Sequence, residues 1–225
     1  MKKSVLAVLM CASLLAVPAL AVERVAVNPA NGKELGPRVA PSTVIAVATY
    51  DANGKADAAL IDRWGIVSSS PARIGVAVNK KRATHDNIMA SKGFTVNLPS
   101  EKFLAEMDFF GNHSLKKLPD LDKFAVTGVK TEKAETVNAP CLVDFPVTME
   151  CEVEEAFDGG SHTFFIAKVN KTWIDKNCID PTSGELKPEA MKLFLYWPGT
   201  GKYYHVGDVL GTPGEALKAK FEKQE

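Results

Sequence analysis

The sequence predicts a mainly β protein, either a barrel or a sandwich, with only a few short helices. Short apolar runs rich in Val, Ile and Thr recur between turn residues, as expected for strands around one core. Near residue 150, apolar and acidic residues alternate at every second position, which is typical of a half-buried strand. The 225 residues are enough for one domain of about 200 residues with a full core.

The predicted strands begin at residue 43. A run of small and β-branched residues covers 43–50, and the Asn53-Gly54 pair then provides a turn whose residues tolerate positive φ. The apolar run resumes over 58–61, so the two segments predict a hairpin. The later predicted strands are 74–78, 94–98, 147–153 and 163–169.

Three short helices are predicted between and after these strands. The first begins at Thr84 and ends at Gly93, which is placed to be its C′ residue. The second follows Ser100 as N-cap and has one apolar face. The third opens over 212–215, where Thr, Pro and Glu occupy the positions of a capping box.

The first 21 residues have the three parts of a secretory signal peptide. Lys2 and Lys3 give a positive start, 4–17 is apolar, and Ala19-Leu20-Ala21 supplies the small residues of a cleavage site. An uncleaved anchor is the alternative, but the apolar run is shorter than the roughly 20 residues that span a bilayer. We therefore expect cleavage after Ala21 and export, to a bacterial periplasm. The predicted organisation is then an exposed lead-in over 22–41 and one domain over 42–225.

The charge balance excludes one class of function. The chain has 27 basic and 27 acidic residues, and removal of 1–21 leaves a formal charge of −2. A protein that grips a nucleic-acid backbone over a broad face carries a positive surface, so no nucleic-acid partner is expected. No later apolar run is long enough for a membrane span, so none is expected in the mature chain.

Three cysteines remain in the mature chain: Cys141, Cys151 and Cys178. They are too few for a disulfide scaffold, and one bridge plus a free thiol or three reduced thiols are both open. The sequence has no C-x-x-C motif, so a thioredoxin-type dithiol is not expected. The four histidines are widely spaced, so no metal site is predicted.

Positive charge is concentrated at one point between a buried strand and a helix. Lys80, Lys81 and Arg82 follow the strand, and Thr84 begins the helix. A phosphate there would meet cations, a hydroxyl, and N–H groups at the positive end of the helix dipole. The alternative is a solvated basic turn in front of an ordinary threonine cap.

A series of segments, spread over about 39–209, carries a resemblance to a known family. The segments are 57–64, 67–71, 81–88, 94–100, 162–169 and 203–208. In this order they resemble the flavin reductase-like family of FMN-binding split barrels, and within it the flavoredoxin-type proteins.

The resemblance implies a six-stranded antiparallel Greek-key split β-barrel that forms a homodimer and binds FMN without a covalent link. It implies a residue over the flavin face at His162, which is the candidate catalytic residue. The residues implied to bind FMN are Ala59, Leu60, Ile61 and Asp62 at the ring, Ser68 and Ser69 at the ring or ribityl chain, and Lys80, Arg82 and Thr84 at the phosphate.

Two residues depart from the family pattern, and both bear on the second substrate. Ser161 stands where the family commonly has an acidic residue, and Pro71 stands where it has paired prolines. The expected function is a flavin-dependent oxidoreductase whose electron donor is NAD(P)H or, outside the cytoplasm, an exported redox protein. One alternative is a non-enzymatic carrier of FMN, or of haem through His162 or His205. Another is an oxidase of a phosphorylated vitamin-type amine, for which a second basic cluster is missing.

Overall fold

The structure of the protein is a computed structural model that describes residues 36–215 and 217. The predicted signal peptide, and most of the predicted lead-in, lie outside the described residues. The strands are β1 (Ser42–Thr43), β2 (Ile45–Tyr50), β3 (Ala56–Ile61), β4 (Trp64–Ser69), β5 (Ala72–Asn79), β6 (Gly93–Leu98), β7 (Thr131–Lys133), β8 (Pro140–Leu142), β9 (Val147–Asp158), β10 (His162–Ile174), β11 (Phe194–Trp197) and β12 (Lys202–His205). The α-helices are α1 (Ala83–Ser91), α2 (Leu104–Asn112), α3 (Lys123–Thr127) and α4 (Pro188–Met191).

Seven strands form one antiparallel sheet in the order β3-β2-β6-β9-β10-β5-β4. Two small antiparallel sheets lie beside it: β1-β11-β12 and β7-β8. The prediction of a mainly β, antiparallel fold with short helices is therefore confirmed. None of the helices in the described part of the chain is both long and apolar enough to cross a bilayer.

The connection between β3 and β4 makes the large sheet close on itself. These two strands lie at opposite ends of the pairing order, yet only Asp62 and Arg63 separate them in the chain. Three peptide steps reach at most about 10 Å, so the two edges of the sheet must lie side by side. The sheet therefore curves into a barrel whose edges meet at the 62–63 corner.

One apolar cluster fills the interior of this barrel. Its members come from β2, β3, β5, β6, β9 and β10, together with Ile88 of α1, and Phe94 and Phe165 are its largest side chains. Full burial of each such side chain contributes about 1.5–3 kcal/mol relative to exposure. A second cluster covers the outer side of β2 and includes Met107 and Phe110 of α2. β2 is therefore packed on both of its faces, and the packing on its outer face holds α2 against β2 and β3.

Two local predictions were wrong, each for an identifiable reason. The large sheet has seven strands where the resemblance implied six, and β4 over 64–69 was not predicted because its glycine and serines lack a strand pattern. Lys92, at φ 56°, adopts the left-handed conformation predicted for the helix terminus at Gly93, and Gly93 instead begins β6. Gly93 lies against Val137, where an added Cβ would stand 3.2 Å from the valine Cβ, so close packing explains the glycine.

The two other predicted helices start near their expected caps. A 3-10 turn over Glu101–Phe103 follows Ser100, and α2 continues from it. At the C-terminus the N–H of Thr212 donates to Glu215 Oε2 at 3.0 Å, as a capping box requires. Most of that last helix lies outside the described residues.

Gly75 in β5 is a position where an added methyl group should destabilise the barrel. The ring of Phe164 in β10 occupies the space in which a Cβ at Gly75 would stand. Overpacking of this kind costs about 1–3 kcal/mol, so Gly75→Ala should lower the free energy of unfolding by that amount in denaturant titrations. Gly65, which pairs with Gly75 across the ladder, has open space around it, and Gly65→Ala is the matched control. Equal losses in the two variants would contradict this account.

Candidate functional site

A cleft of about 380 Å³ opens where the two edges of the barrel meet. Its lining comes from the β3–β4 corner, the end of β5, the start of β10, α2, β11 and β12, together with Arg82 in front of α1. The lining residues are Leu60, Ile61, Asp62, Arg63, Ala77, Asn79, Arg82, Asp108, Gly111, Asn112, His162, Tyr196 and Tyr203.

Arg82 is the cation that the fold fixes in this cleft. It occupies the N-cap position of α1, where the helix start has no side-chain cap. Its guanidinium donates to the carbonyl oxygen of Gly111 in α2 at 2.6 Å, which holds the arginine across the cleft. Gly111 lies so close to β3 that an added Cβ would stand 3.3 Å from Leu60 Cβ. Arg82 thus places a guanidinium group in the cleft directly in front of a helix start that has no side-chain cap.

Thr84, predicted to bind phosphate through its hydroxyl, points elsewhere in the structure. The side chain is buried, and its hydroxyl donates to Asp57 Oδ2 at 2.8 Å. The other carboxylate oxygen of Asp57 lies 2.6 Å from Lys123 Nζ, and both of these side chains are only 1% exposed. Lys123 also donates to the carbonyl oxygen of Ala58 at 2.6 Å. A buried network thus takes the threonine hydroxyl and anchors α1 to β3 and α3.

The other predicted phosphate and polar contacts also lie apart from the cleft lining. Lys80 pairs with Asp158 at the tip of the β9–β10 hairpin, 2.6 Å between Nζ and Oδ1. Ser68 and Ser69 lie on β4 opposite Arg73 and Ala72, beyond the cleft lining. Ala59 packs in the barrel interior and does not line the cleft. The structure therefore brings together Leu60, Ile61, Asp62, Arg82 and His162 of the predicted set.

His162, the predicted catalytic residue, begins β10 and lines the cleft near Asp62 and Arg63 of the β3–β4 corner. Its Nδ1 lies 2.8 Å from the hydroxyl oxygen of Ser161, the residue that departs from the family pattern. Burial, and then the nearby Arg63 guanidinium, lower the pKa of His162, while Asp62 acts in the opposite direction. The imidazole is therefore neutral at pH 7, since its ordinary pKa of about 6.5 already lies below that pH.

Two tyrosines that sequence reasoning did not assign form an aromatic wall. Tyr196 in β11 pairs with Tyr203 in β12, and their ring centroids are 5.1 Å apart. The Tyr203 hydroxyl donates to Asp108 Oδ1 at 3.2 Å. Burial, with the nearby Asp108 carboxylate, raises the pKa of Tyr203 to about 12, so the phenol stays protonated. The only sequence signal was one tyrosine in the segment 194–197 and two in the segment 202–205, which does not reveal a shared wall.

The remaining candidate side chains lie away from the cleft. Cys141, Cys151 and Cys178 are all buried free thiols, which resolves the open question in favour of three reduced cysteines. His205 is largely exposed and lies 2.8 Å from Glu101, so His162 is the histidine that lines the cleft.

Comparison with known proteins identifies structures with the same fold and relatives that are named as reductases. The structure matches the flavoredoxin of Desulfovibrio vulgaris (Miyazaki F) with a TM-score of 0.74 and 27% identity, covering 82% of this chain and 98% of that one. A ferric-chelate reductase (NAD(P)H) of Archaeoglobus fulgidus is 26% identical over 54% of this chain and 70% of its own. An NADH-dependent FAD reductase of Streptomyces globisporus is 27% identical over 46% of this chain and 54% of its own.

The chain spans about half the length of the first curated relatives that it matches, which are aligned over 58%, 43% and 56% of their own residues. Those relatives come from Pyrococcus abyssi, Moorella thermoacetica and Archaeoglobus fulgidus. The flavin reductase like domain family matches residues 38–200, which is most of the chain and includes every strand of the barrel and nearly all of the cleft. The protein therefore belongs to the flavin reductase like domain family.

Proposed function

We propose that the protein is an FMN-dependent oxidoreductase that binds its flavin in this cleft and passes a hydride or electrons through it. The observation that carries the proposal is Arg82, held by Gly111 beside an uncapped helix start at one end of the cleft. Helix N-termini and a fixed guanidinium are together a favourable site for a phosphate group. The reductase names of the relatives support an oxidoreductase in general.

The donors at the phosphate end fit a single phosphate group. Arg82 supplies N–H donors with fixed geometry, and the first N–H groups of α1 add the positive end of its dipole. Thr84 contributes through its backbone position, because its hydroxyl is bonded to Asp57. Lys80 lies outside the cleft lining and is paired with Asp158, so its contribution to phosphate binding is smaller than that of Arg82.

The part of the cleft lined by β3, Tyr196 and Tyr203 fits a flat, polar-edged ring. β3 is an edge strand of the described sheet, so backbone groups near Leu60 and Ile61 have no strand partner on that side. A flavin edge alternates hydrogen-bond donors and acceptors. The unpaired backbone N–H and C=O groups of an edge strand can bond to both. Tyr196 and Tyr203 offer an apolar wall for the ring. The side chains and backbone of this chain therefore fit FMN.

The bound flavin supplies the redox chemistry, since it accepts and releases electrons singly or as a hydride. His162, being neutral, offers one hydrogen-bond donor and one acceptor to a substrate in the cleft. Tyr203 stays protonated and donates to Asp108, which keeps the aromatic wall in place. Asp62, only 13% exposed and paired with Arg63 at 2.6 Å, keeps that corner rigid and polar.

We propose NAD(P)H or an exported redox protein as the electron donor. The names of two relatives, a ferric-chelate reductase (NAD(P)H) and an NADH-dependent FAD reductase, support a nicotinamide donor. The second of these names also makes FAD the competing flavin. The phosphate end of the cleft provides for one phosphate group, which favours FMN.

The absorbance spectrum of the protein, purified from its own compartment, tests this function. We expect flavin bands that bleach anaerobically with NADH or NADPH, and FMN as the flavin released on denaturation and identified by chromatography. Bleaching with dithionite but not with NADH or NADPH would indicate an electron carrier instead of a reductase. A Soret band, or a chain that neither contains nor takes up flavin, would contradict the proposal.

We further propose that the protein acts as a homodimer. Ile66 and Val67 on β4, and Phe157 on β9, expose large apolar side chains on strands of the barrel, with 79% exposure at Ile66. A second copy would cover such side chains. Light scattering should give twice the chain mass, and Ile66→Asp should shift it toward the single chain. A single-chain mass for the unmodified protein would exclude the dimer.

Export is the proposed location, with the signal peptide removed after Ala21. The charged, apolar and small-residue parts of 1–21 support it. Fractionated cells should contain the protein in the periplasm, and mass spectrometry should show Val22 as its first residue. An intact N-terminus in the cytoplasmic fraction would refute export.

A further inference from the structure

A second cavity, of about 340 Å³, lies at the far end of the barrel from the flavin cleft. It is bordered by the β7–β8 hairpin, the start of β9 and the end of β10. Trp173 in its wall is eleven residues beyond His162 on β10, roughly 35 Å along the strand. Its lining residues are Glu132, Lys133, Glu135, Cys141, Val143, Phe145, Pro146, Thr148, Glu150, Trp173, Ile174 and Asp175. The two cavities share no residue, so this one belongs to a different site.

Trp173 is held rigidly in the wall of this cavity although its side chain is exposed. Its indole N–H donates to Glu150 Oε1 at 2.8 Å. Glu150 is completely buried, and its other oxygen accepts from the backbone N–H and the hydroxyl of Thr136, at 2.6 and 2.7 Å. A buried carboxylate with three donors fixes the indole, which nevertheless remains 42% exposed. The ring is thus a preformed aromatic surface that no described side chain fully covers.

The lining carries excess negative charge, although Lys171 beside it neutralises part of the charge of Glu135. It has four carboxylates and one ammonium group, from Lys133. Burial raises the pKa of Glu150, but the hydrogen bonds from Thr136 and Trp173 outweigh it, so the pKa lies below its ordinary value and the group is ionised. Burial, and then the neighbouring glutamates, raise the pKa of the Cys141 thiol to about 11, so that thiol adds no negative charge. The cavity therefore combines an apolar and aromatic wall with excess carboxylate.

The chain already places a cation on this indole. Lys171 Nζ lies 4.0 Å from the centroid of the Trp173 ring and 2.5 Å from Glu135 Oε2. Lys171 is not part of the cavity lining, whereas Trp173 and Glu135 are. A tryptophan face with adjacent carboxylates attracts cations, and the attraction grows when the cation is shielded from water.

We propose that this cavity binds a small organic cation, an amine or quaternary ammonium attached to a flat apolar group. The apolar group would pack against Trp173, Phe145 and Val143. The positive charge would face the carboxylates of Glu132, Glu135 and Asp175. Charge complementarity selects this occupant over a neutral or anionic molecule of the same shape.

Benzyltrimethylammonium, benzyl alcohol and benzenesulfonate form a probe set that separates charge from shape. Calorimetric titration of the flavin-loaded protein should show binding of the cation, with the alcohol at least about fivefold weaker and the sulfonate undetectable. In ¹H–¹⁵N spectra the indole N–H signal of Trp173, assigned with Trp173→Phe, should shift with the cation. Equal binding of all three probes, or no shift of that indole signal, would overturn the proposal.

Substitutions of two carboxylates that line the cavity test the role of charge, and two substitutions outside the cavity are the matched control. Glu132→Gln combined with Glu135→Gln should weaken the cation about threefold or more, because it removes two charges from the cavity. Glu185→Gln combined with Glu189→Gln removes the same charge from exposed positions outside it and should leave the affinity unchanged. Near-ultraviolet circular dichroism confirms that each variant is folded without relying on the flavin. Unchanged affinity in the cavity variant, or equal loss in both, would also overturn the proposal.

Discussion

Arg82→Ala is expected to weaken FMN binding by about 10- to 150-fold. A charge-assisted hydrogen bond contributes about 1.5–3 kcal/mol, and each 1.4 kcal/mol is a factor of ten in affinity. Arg82 lies in the cleft lining and is already held by the Gly111 carbonyl, so its guanidinium is in position before a phosphate arrives. Fluorescence titration of flavin into the flavin-free protein measures the effect. Combining the change with Lys80→Ala should weaken binding further, by the smaller contribution of a cation shared with Asp158.

Two controls make this result specific to the phosphate. Riboflavin lacks the phosphate, so its affinity should be the same in the unmodified protein and in Arg82→Ala. Lys81→Ala removes a neighbouring exposed cation that does not line the cleft, and should change FMN affinity little. Equal losses for FMN and riboflavin would show that Arg82 supports the fold of the cleft. An unchanged FMN affinity would mean that the phosphate binds elsewhere.

Lys123→Met is expected to lower the free energy of unfolding by about 3–5 kcal/mol, the largest stability effect anticipated in this chain. The substitution leaves Asp57 buried at 1% exposure without its counter-charge, and only Thr84 still donates to it. Burial lowers the pKa of Lys123, while the attraction of Asp57 opposes that shift, so the ion pair offsets an otherwise unfavourable burial. Denaturant unfolding followed by circular dichroism measures the loss.

Restoring charge balance should recover much of that stability. In Asp57→Val combined with Lys123→Met, both charges are replaced by apolar side chains, and such replacements of whole buried pairs are often neutral. Exposed Lys130→Met, which leaves the buried pair intact, controls for the chemical change itself. If the double variant is as unstable as Lys123→Met, the loss comes from packing instead of an unpaired charge. A small loss in Lys123→Met alone would contradict the buried ion pair.

The elements that could be predicted are those whose pattern lies within one short stretch of sequence. The hairpin of β2 and β3 follows from two apolar runs around Asn53-Gly54, and α1 follows from its basic start and helical run. β4 was missed because its own residues have no strand pattern, and it becomes a strand only by pairing with β5. Pairing between distant segments is a tertiary effect that local propensity does not contain.

The candidate site shows the same division. The position of Arg82 before a helix could be predicted because cations before a helix start are a local pattern, while its contact with a phosphate stays a prediction. The inward turn of Thr84 depends on Asp57 and Lys123, which lie 27 and 39 residues away, and no spacing rule reveals such a network. Tyr203 reaches the cleft only because β12 pairs with β11, and Asp108 because α2 packs on β3. Side chains that meet through tertiary packing need coordinates to be found.

The bond between Arg82 and the Gly111 carbonyl joins two elements that a bound phosphate would otherwise have to organise. A free arginine loses about 2 kcal/mol of side-chain conformational entropy when it is immobilised. Here much of that entropy loss has already occurred during folding, so it no longer reduces the free energy of ligand binding. A chain that folds before it meets its cofactor would therefore capture flavin by simple docking, at a rate governed by diffusion and access instead of by rearrangement.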